Sequence, residues 1–339
     1  MRIGNIECKR GERAFGYLEI DRTTSRIPVH IPVNILCGPE DGPTLLVDGA
    51  VHGPEDIGSV AIGKLLRTID VDDIRGTLIA VPVVNTSGFE FQQRFVFWDG
   101  NDLNRQGKGK ADGNLTERMA YHYYHEVISK ADGYVDIHSG GPDGYVWYTI
   151  YQEDADAEPE VISKSREMAL AFGLSDIFSR TPWHGTLKET ATQNGIPSIT
   201  PEIGGGADFF YNGQEQVDIC LEGILNVMRL YGMLDGEIKT QEPVARLWHG
   251  KHEMDAGPHS GVMMRRAEWG DRLEKGDVYA EVFHPFTGEK LSEIVAPAEG
   301  TVLNSGVVWP VIPPGRWLAI LGDLAEEVEL KDSEIGHLL

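Results

Sequence analysis

From residue 43 the chain alternates apolar runs that suit buried strands with stretches of helical periodicity, and this alternation limits its fold more than any other feature. PTLLVDGAV (43–51) reads as a strand ending at His52. DIGSVAIGKLLRTI (56–69) follows, with Ile57, Val60, Ala61, Leu65 and Leu66 able to share one helix face. GTLIAVPVVN (76–85) is a second strand. NLTERMAYHYYHEVISKA (114–131) opens on the capping residue Asn114 and reads as a long helix. GYVDIHSGG (133–141) is a short strand with a glycine stop, and VISKSREMALAFGL (161–174) another helix. GIPSITPEIGGG (195–206) is a strand ending in glycines, and VDICLEGILNVMRLYGML (217–234) a last amphipathic helix. Strands alternating with helices of this length predict an α/β fold with a mainly parallel sheet flanked by helices.

After residue 240 the texture changes to short alternating segments broken by Gly, Pro and Asp, the pattern of a small all-β module. DGEIKTQEP (235–243) reads as the linker. Two domains are expected: residues 1–240, whose first 42 residues form a β-rich extension of the sheet, and residues 241–339.

Composition excludes several roles. With 30 Lys and Arg against 53 Asp and Glu the net charge is −23, which argues against nucleic acid or an anionic membrane surface as partner. No run of about 18 apolar residues predicts a membrane span. The N-terminus lacks the apolar core of a secretory signal. Cys8, Cys37 and Cys220 are odd in number and far apart, so neither a disulfide framework nor a metal knuckle is expected, and a reducing cytoplasm is the simplest compartment.

The chemistry-bearing residues sit at predicted strand ends, where ligand sites form in parallel α/β sheets. His52 and Glu55, in HGPE, form an HxxE pair that can place an imidazole and a carboxylate on one ion; a polar turn leading into a helix fits the same residues. His138 follows the strand VDI and precedes Ser139 and two glycines. The three together are the ligand class of a catalytic zinc site with an open position. Glu202, before Gly204–Gly206, suits a general base taking a proton from zinc-bound water, and equally a carboxylate bonded to amides in a glycine turn. RFVFWDGNDLNR (94–105) follows a strong strand: Arg105 can grip a substrate carboxylate and Arg94 can stabilise an oxyanion, although an exposed loop of surface ion pairs has the same composition. Ser139 lacks the GxSxG elbow of a serine hydrolase.

HGPE, DGNDLNR, DIHSGG and ITPEIGGG, in this order, resemble the succinylglutamate desuccinylase/aspartoacylase family, relatives of zinc carboxypeptidases. The likeness covers about residues 27–330 and is to a bacterial subgroup with an arginine, DGxNLNR and a β-rich C-terminal domain. It implies a zinc-carboxypeptidase-like mixed, mainly parallel sheet with a smaller all-β C-terminal domain. It implies one Zn²⁺ per subunit on His52, Glu55 and His138, with Glu202 as general base and Arg94 polarising the carbonyl. It further implies Asn104 and Arg105 on a substrate carboxylate and Asp102 orienting His52. His184 is placed near the pocket by the glycine-containing segment that precedes the family's catalytic strand.

The implied activity is zinc-dependent deacylation of a small N-acyl amino acid or related amide. The alternatives are a carboxypeptidase-like peptidase, a hydrolase of another carboxylate-bearing amide or ester, and a non-catalytic binding protein on the same fold. The family habit implies a homo-oligomer. Residues 241–339 have a biotinyl/lipoyl-like or barrel-like look but lack the modifiable lysine. The chain departs from the family's NLNRxFPG in DLNRQGKGKADG (102–113), and carries Pro54 where Asp or Asn is common.

Overall fold

The computed structural model describes residues 1–142, 144–206, 208–304 and 310–330. Residues 305–309 and the last nine residues of the expected C-terminal module lie outside these. The first half carries β1 (Arg2–Ile3), β2 (Ile6–Glu7), β3 (Glu12–Arg22), β4 (Pro28–Cys37), β5 (Glu40–Gly49), α1 (Ile57–Thr68), β6 (Arg75–Val81) and α2 (Thr86–Phe91). Then come α3 (Leu115–Glu126), β7 (Gly133–Ile137), β8 (Val146–Ile150), α4 (Pro159–Phe172), β9 (Asp176–Arg180), α5 (Leu187–Gln193), β10 (Ser198–Gly204) and α6 (Asp208–Leu230). The C-terminal strands are β11 (Val244–Asp255), β12 (Gly261–Arg265), β13 (Arg272–Leu273), β14 (Val278–Phe283), β15 (Lys290–Val295), β16 (Gly300–Asn304), β17 (Val311–Ile312) and β18 (Trp317–Glu329).

A twelve-stranded sheet runs in the order β13-β16-β18-β11-β9-β8-β10-β7-β5-β6-β4-β3. Its centre, β6-β5-β7-β10, is parallel, while β8 lies antiparallel to β10 and the β3–β4 hairpin antiparallel to β6. Central strands bury both faces, which is why they read as unbroken apolar runs. On β5, Leu45 and Val47 pack into a core with Ile57, Ile62 and Ile224 of α1 and α6. Leu46 points the other way, into a core with Tyr123 of α3 and Leu187 of α5. The helix opened by Asn114 begins with a capping box: the Asn114 side chain accepts from the Glu117 amide at 2.9 Å, and the Glu117 carboxylate accepts from the Asn114 amide at 2.9 Å.

The C-terminal strands form the expected smaller all-β domain, and part of it is hydrogen-bonded onto the edge of this sheet. β11 pairs in parallel with β9, and β18 continues the ladder from β11. A second, four-stranded sheet, β15-β14-β12-β17, packs over this end around Met254, Tyr279, Val282 and Leu318. The three cysteines are buried and unbridged. Among the described residues no helix is long and apolar enough to cross a membrane.

Candidate active site

β5, β7 and β10 run parallel, so their C-terminal ends share one edge of the sheet. Past β5 the chain turns through Ala50, a buried non-glycine residue in the left-handed region at φ 49°. Such a conformation costs of order 1 kcal/mol and persists only where the surroundings dictate it. Here the Ala50 carbonyl accepts the Asn85 amide at 3.0 Å, pinning the turn against the loop after β6. Gly53 follows, so close to that loop that an added Cβ would stand 1.9 Å from the Gly88 carbonyl carbon. Gly53→Ala should therefore lower stability by about 1–3 kcal/mol by overpacking and shift His52 and Glu55 on either side. Thermal unfolding checks this; an unchanged melting temperature would show that the two loops can part freely.

The turn brings His52 and Glu55 to His138 at the end of β7. One candidate ligand atom from each lies within 4.8 Å of the others. The Glu55 carboxylate sits between the two rings, 2.9 Å from His52 Nδ1 and 2.6 Å from His138 Nδ1. All three residues are buried. Burial opposes ionisation of Glu55, but the charges and hydrogen bonds of His52 and His138 outweigh it and hold the carboxyl well below its usual range. Burial likewise opposes a charged His138, but the carboxylates of Asp136 and Glu55 raise its pKa well above the usual value.

The far nitrogens of both rings are also met by the protein. His52 Nε2 is 3.1 Å from Asp102 Oδ1. Oδ1 of the fully buried Asp136 is 3.0 Å from His138 Nε2, yet neither Asp136 oxygen has a hydrogen-bond partner. Two imidazoles and a carboxylate with their inner atoms converging, and a waiting acceptor behind each ring, fit a divalent metal such as zinc. An ion taking Nδ1 of His138 would leave the proton on Nε2, where the orphaned Asp136 carboxylate can receive it.

Glu202 reaches the same place from β10. A parallel bridge joins it to His138, with the His138 amide donating to the Pro201 carbonyl at 2.9 Å. Burial pushes its carboxyl up to about 8; the charges of Glu55 and Asp136 add to this, while His138 and Arg94 oppose it. Arg94 bridges Asp102, 3.2 Å from its Oδ2, and Glu55, 3.5 Å from its Oε1. Asn104 is buried: its Oδ1 accepts the Leu187 amide at 2.8 Å, and its Nδ2 is 3.3 Å from His138 Nε2. Arg105 is exposed at the mouth and donates to the Asn104 carbonyl at 2.8 Å.

His52, Glu55, His138, Arg94, Asn104, Arg105 and Glu202 thus line one cavity of about 640 Å³. Asp102 backs it through His52. His184 is not on its wall: that ring is 70% exposed and lies 3.0 Å from Glu189. Its neighbours Trp183 and Thr186 do line the cavity. Five further contributors carried no signal in the sequence. Tyr148 faces Glu202 across the β8–β10 ladder, Lys188 sits on a helix without apolar periodicity, and Glu253, Arg316 and Trp317 come from the C-terminal strands and the turn before β18.

Residues 41–231 match the family model described as succinylglutamate desuccinylase/aspartoacylase catalytic domain. Among curated proteins the chain is 29% identical over 314 residues to N-alpha-acetyl-L-2,4-diaminobutyric acid deacetylase of Halomonas elongata, covering 88% of this chain and 87% of that one. Among solved structures it is similar to a succinylglutamate desuccinylase from a Silicibacter species, at 26% identity and a TM-score of 0.79, covering 96% of this chain and 100% of that one. It is also similar to the product-bound ectoine utilization protein EutE (DoeB) of Ruegeria pomeroyi, at 26% identity and a TM-score of 0.79, over 92% and 94% of the two chains. With more than half its length matched and the expected mixed sheet in place, the chain belongs to the succinylglutamate desuccinylase/aspartoacylase family and is a hydrolytic deacylase of amide bonds.

Proposed function

We propose that this chain is a zinc-dependent amidohydrolase that removes the acyl group from a small, carboxylate-bearing N-acyl amino acid. The observation that carries this reading is the convergence of His52, Glu55 and His138 beside a buried Glu202 whose pKa is raised to about 8. His52, Glu55 and His138 would hold one ion, which supplies Lewis acidity when bound: it polarises a carbonyl and acidifies water. Glu202 accepts the proton of the attacking water on its carboxylate and passes it to the leaving amine nitrogen. Its raised pKa suits both halves of that task, because a general acid–base group works best near the operating pH. Arg94 directs its guanidinium at the carbonyl oxygen as negative charge develops there. Asp102 orients His52 and restrains Arg94. Arg105, with Asn104 behind it, holds a carboxylate at the cavity mouth.

The relative from Halomonas elongata makes acetylated diamino acids the first substrates to try. Glu253 and Asp255 of β11 also line the cavity, and their carboxylates suit a second amine on the substrate. A screen of N-acyl amino acids with the zinc-loaded chain, read by released amine, tests the reading. Small acetylated amino acids, diamino acids first, should be hydrolysed and longer peptides refused, since the C-terminal strands wall the cavity. Trimming of peptides would favour the peptidase alternative, and no zinc-dependent release from any amide would favour a non-catalytic binder.

A further inference from the structure

Lys188 is a buried charge that the proposed chemistry leaves unused. It stands in the first turn of α5 and is only 3% exposed, yet it lines the same cavity as Glu202 and His138. Among the described residues its ammonium has no hydrogen bond and no ion pair. Burying a charge without a partner is expensive, and the usual remedy is an opposite charge. Among the described residues none of the nearby carboxylates makes an ion pair with Lys188. Glu189 binds the Gly185 amide and the His184 ring, Asp154 accepts from Gln152 at 2.6 Å, and Asp136 faces His138. Burial pulls the Lys188 ammonium down to about 8, with Glu189, Asp136 and Asp154 resisting a further fall, so most of it is charged at neutral pH.

The placement of this charge is controlled. Asn104 accepts the amide of Leu187, the residue before Lys188, and with the other end of its side chain faces His138. The start of α5 is therefore in fixed register with the metal-type cluster. On β10, Thr200 precedes Glu202 by two residues and lines the same cavity, as does its partner Ile150 on β8. Two residues along a strand span about 6.5–7 Å, the length of a short acyl chain or amino-acid side chain. The cavity thus has an exposed cation at its mouth, Arg105, and a buried one within.

We propose that Lys188 receives a carboxylate of the substrate inside the cavity, as a second anion-holding group besides Arg105. This rests on the deacylase reading of the same cavity. The carboxylate belongs either to the amino acid or to a dicarboxylic acyl group, and two pairs of ligands separate these sources. One pair is N-acetyl-L-2,4-diaminobutyrate and its C-terminal carboxamide. The other is N-succinyl-L-2,4-diaminobutyrate and its N-butyryl analogue. Binding is read by calorimetry on the metal-free full-length chain, so that the outcome does not depend on turnover.

In one of the pairs, Lys188→Gln should weaken the carboxylate-bearing member at least tenfold and leave the neutral member within twofold, and Lys188→Arg should restore most of the difference. Lys188→Met keeps the buried stem without the charge and serves if the glutamine variant does not fold. It should also raise the melting temperature, because the free chain loses an uncompensated buried charge. The proposal is overturned if the wild-type chain prefers neither carboxylate, or if the variants weaken charged and neutral ligands alike. It is also overturned if Lys188→Met lowers the melting temperature while carboxylate selectivity stays intact, which is the mark of a purely structural lysine. Failure of the deacylase reading is a separate outcome: no zinc-dependent hydrolysis in the screen, whatever the binding data show.

Discussion

Glu202→Ala should keep one zinc per chain and lose about 10³-fold in kcat. The carboxylate is not one of the three converging ligands, so metal content has no reason to fall. Its place at the end of β10, beside His138 and opposite Tyr148, leaves the cavity walls standing when it is truncated. What disappears is a buried cavity carboxyl whose pKa is raised to about 8, whereas that of Glu55 is held below its usual range. Metal analysis and steady-state kinetics on the same preparation make the test. Hydrolysis near the wild-type rate would remove Glu202 from the mechanism, and loss of zinc along with activity would make it a ligand instead.

His138→Ala should lower zinc occupancy to a minor fraction at equimolar metal and abolish activity with it. The linked effect is protonic. In the metal-free chain His138 has a pKa well above the usual value, raised against burial by Asp136 and Glu55, so at pH 7 it holds its proton. Glu202, at about 8, is mostly protonated as well. An ion requires neutral imidazole, and its charge disfavours the acid form of Glu202, so zinc binding must expel protons. Calorimetric titration in two buffers of different ionisation enthalpy should show net proton release at pH 7, diminishing as pH rises through these pKa values, and smaller in His138→Ala. Equal zinc content in the variant would remove His138 from the ligand set.

The strand ends that carry His52, Glu55, His138 and Glu202 were legible because the central strands are long apolar runs that stop abruptly at polar residues and glycines. α1 and α3 were legible for the same reason in reverse, as their polar faces interrupt the apolar stripe at helical spacing. α5 was not: residues 187–192 are all buried, yet Lys188, Glu189, Thr190 and Thr192 are polar, so no apolar period marks the helix. Burial there is satisfied by local bonds, such as Thr192 to Ser198 and His184 to Glu189, which leave no hydropathy signal. β8 and β9 are five residues each, too short for alternation to separate them from loop. The pairing of β11 with β9 joins residues about 70 apart, a long-range choice that local sequence does not encode.

That pairing has a mechanical meaning. Without β11, the backbone donors and acceptors of β9 would stand open along a sheet edge, the kind of surface that recruits other chains. The C-terminal strands therefore act as a seal on the catalytic half as well as a wall for its cavity. Glu253 and Trp317 both stand on paired strands, β11 and β18, so this wall of the cavity is part of a sheet and not a loop. The inner dimensions of the cavity on that side are set by the sheet itself.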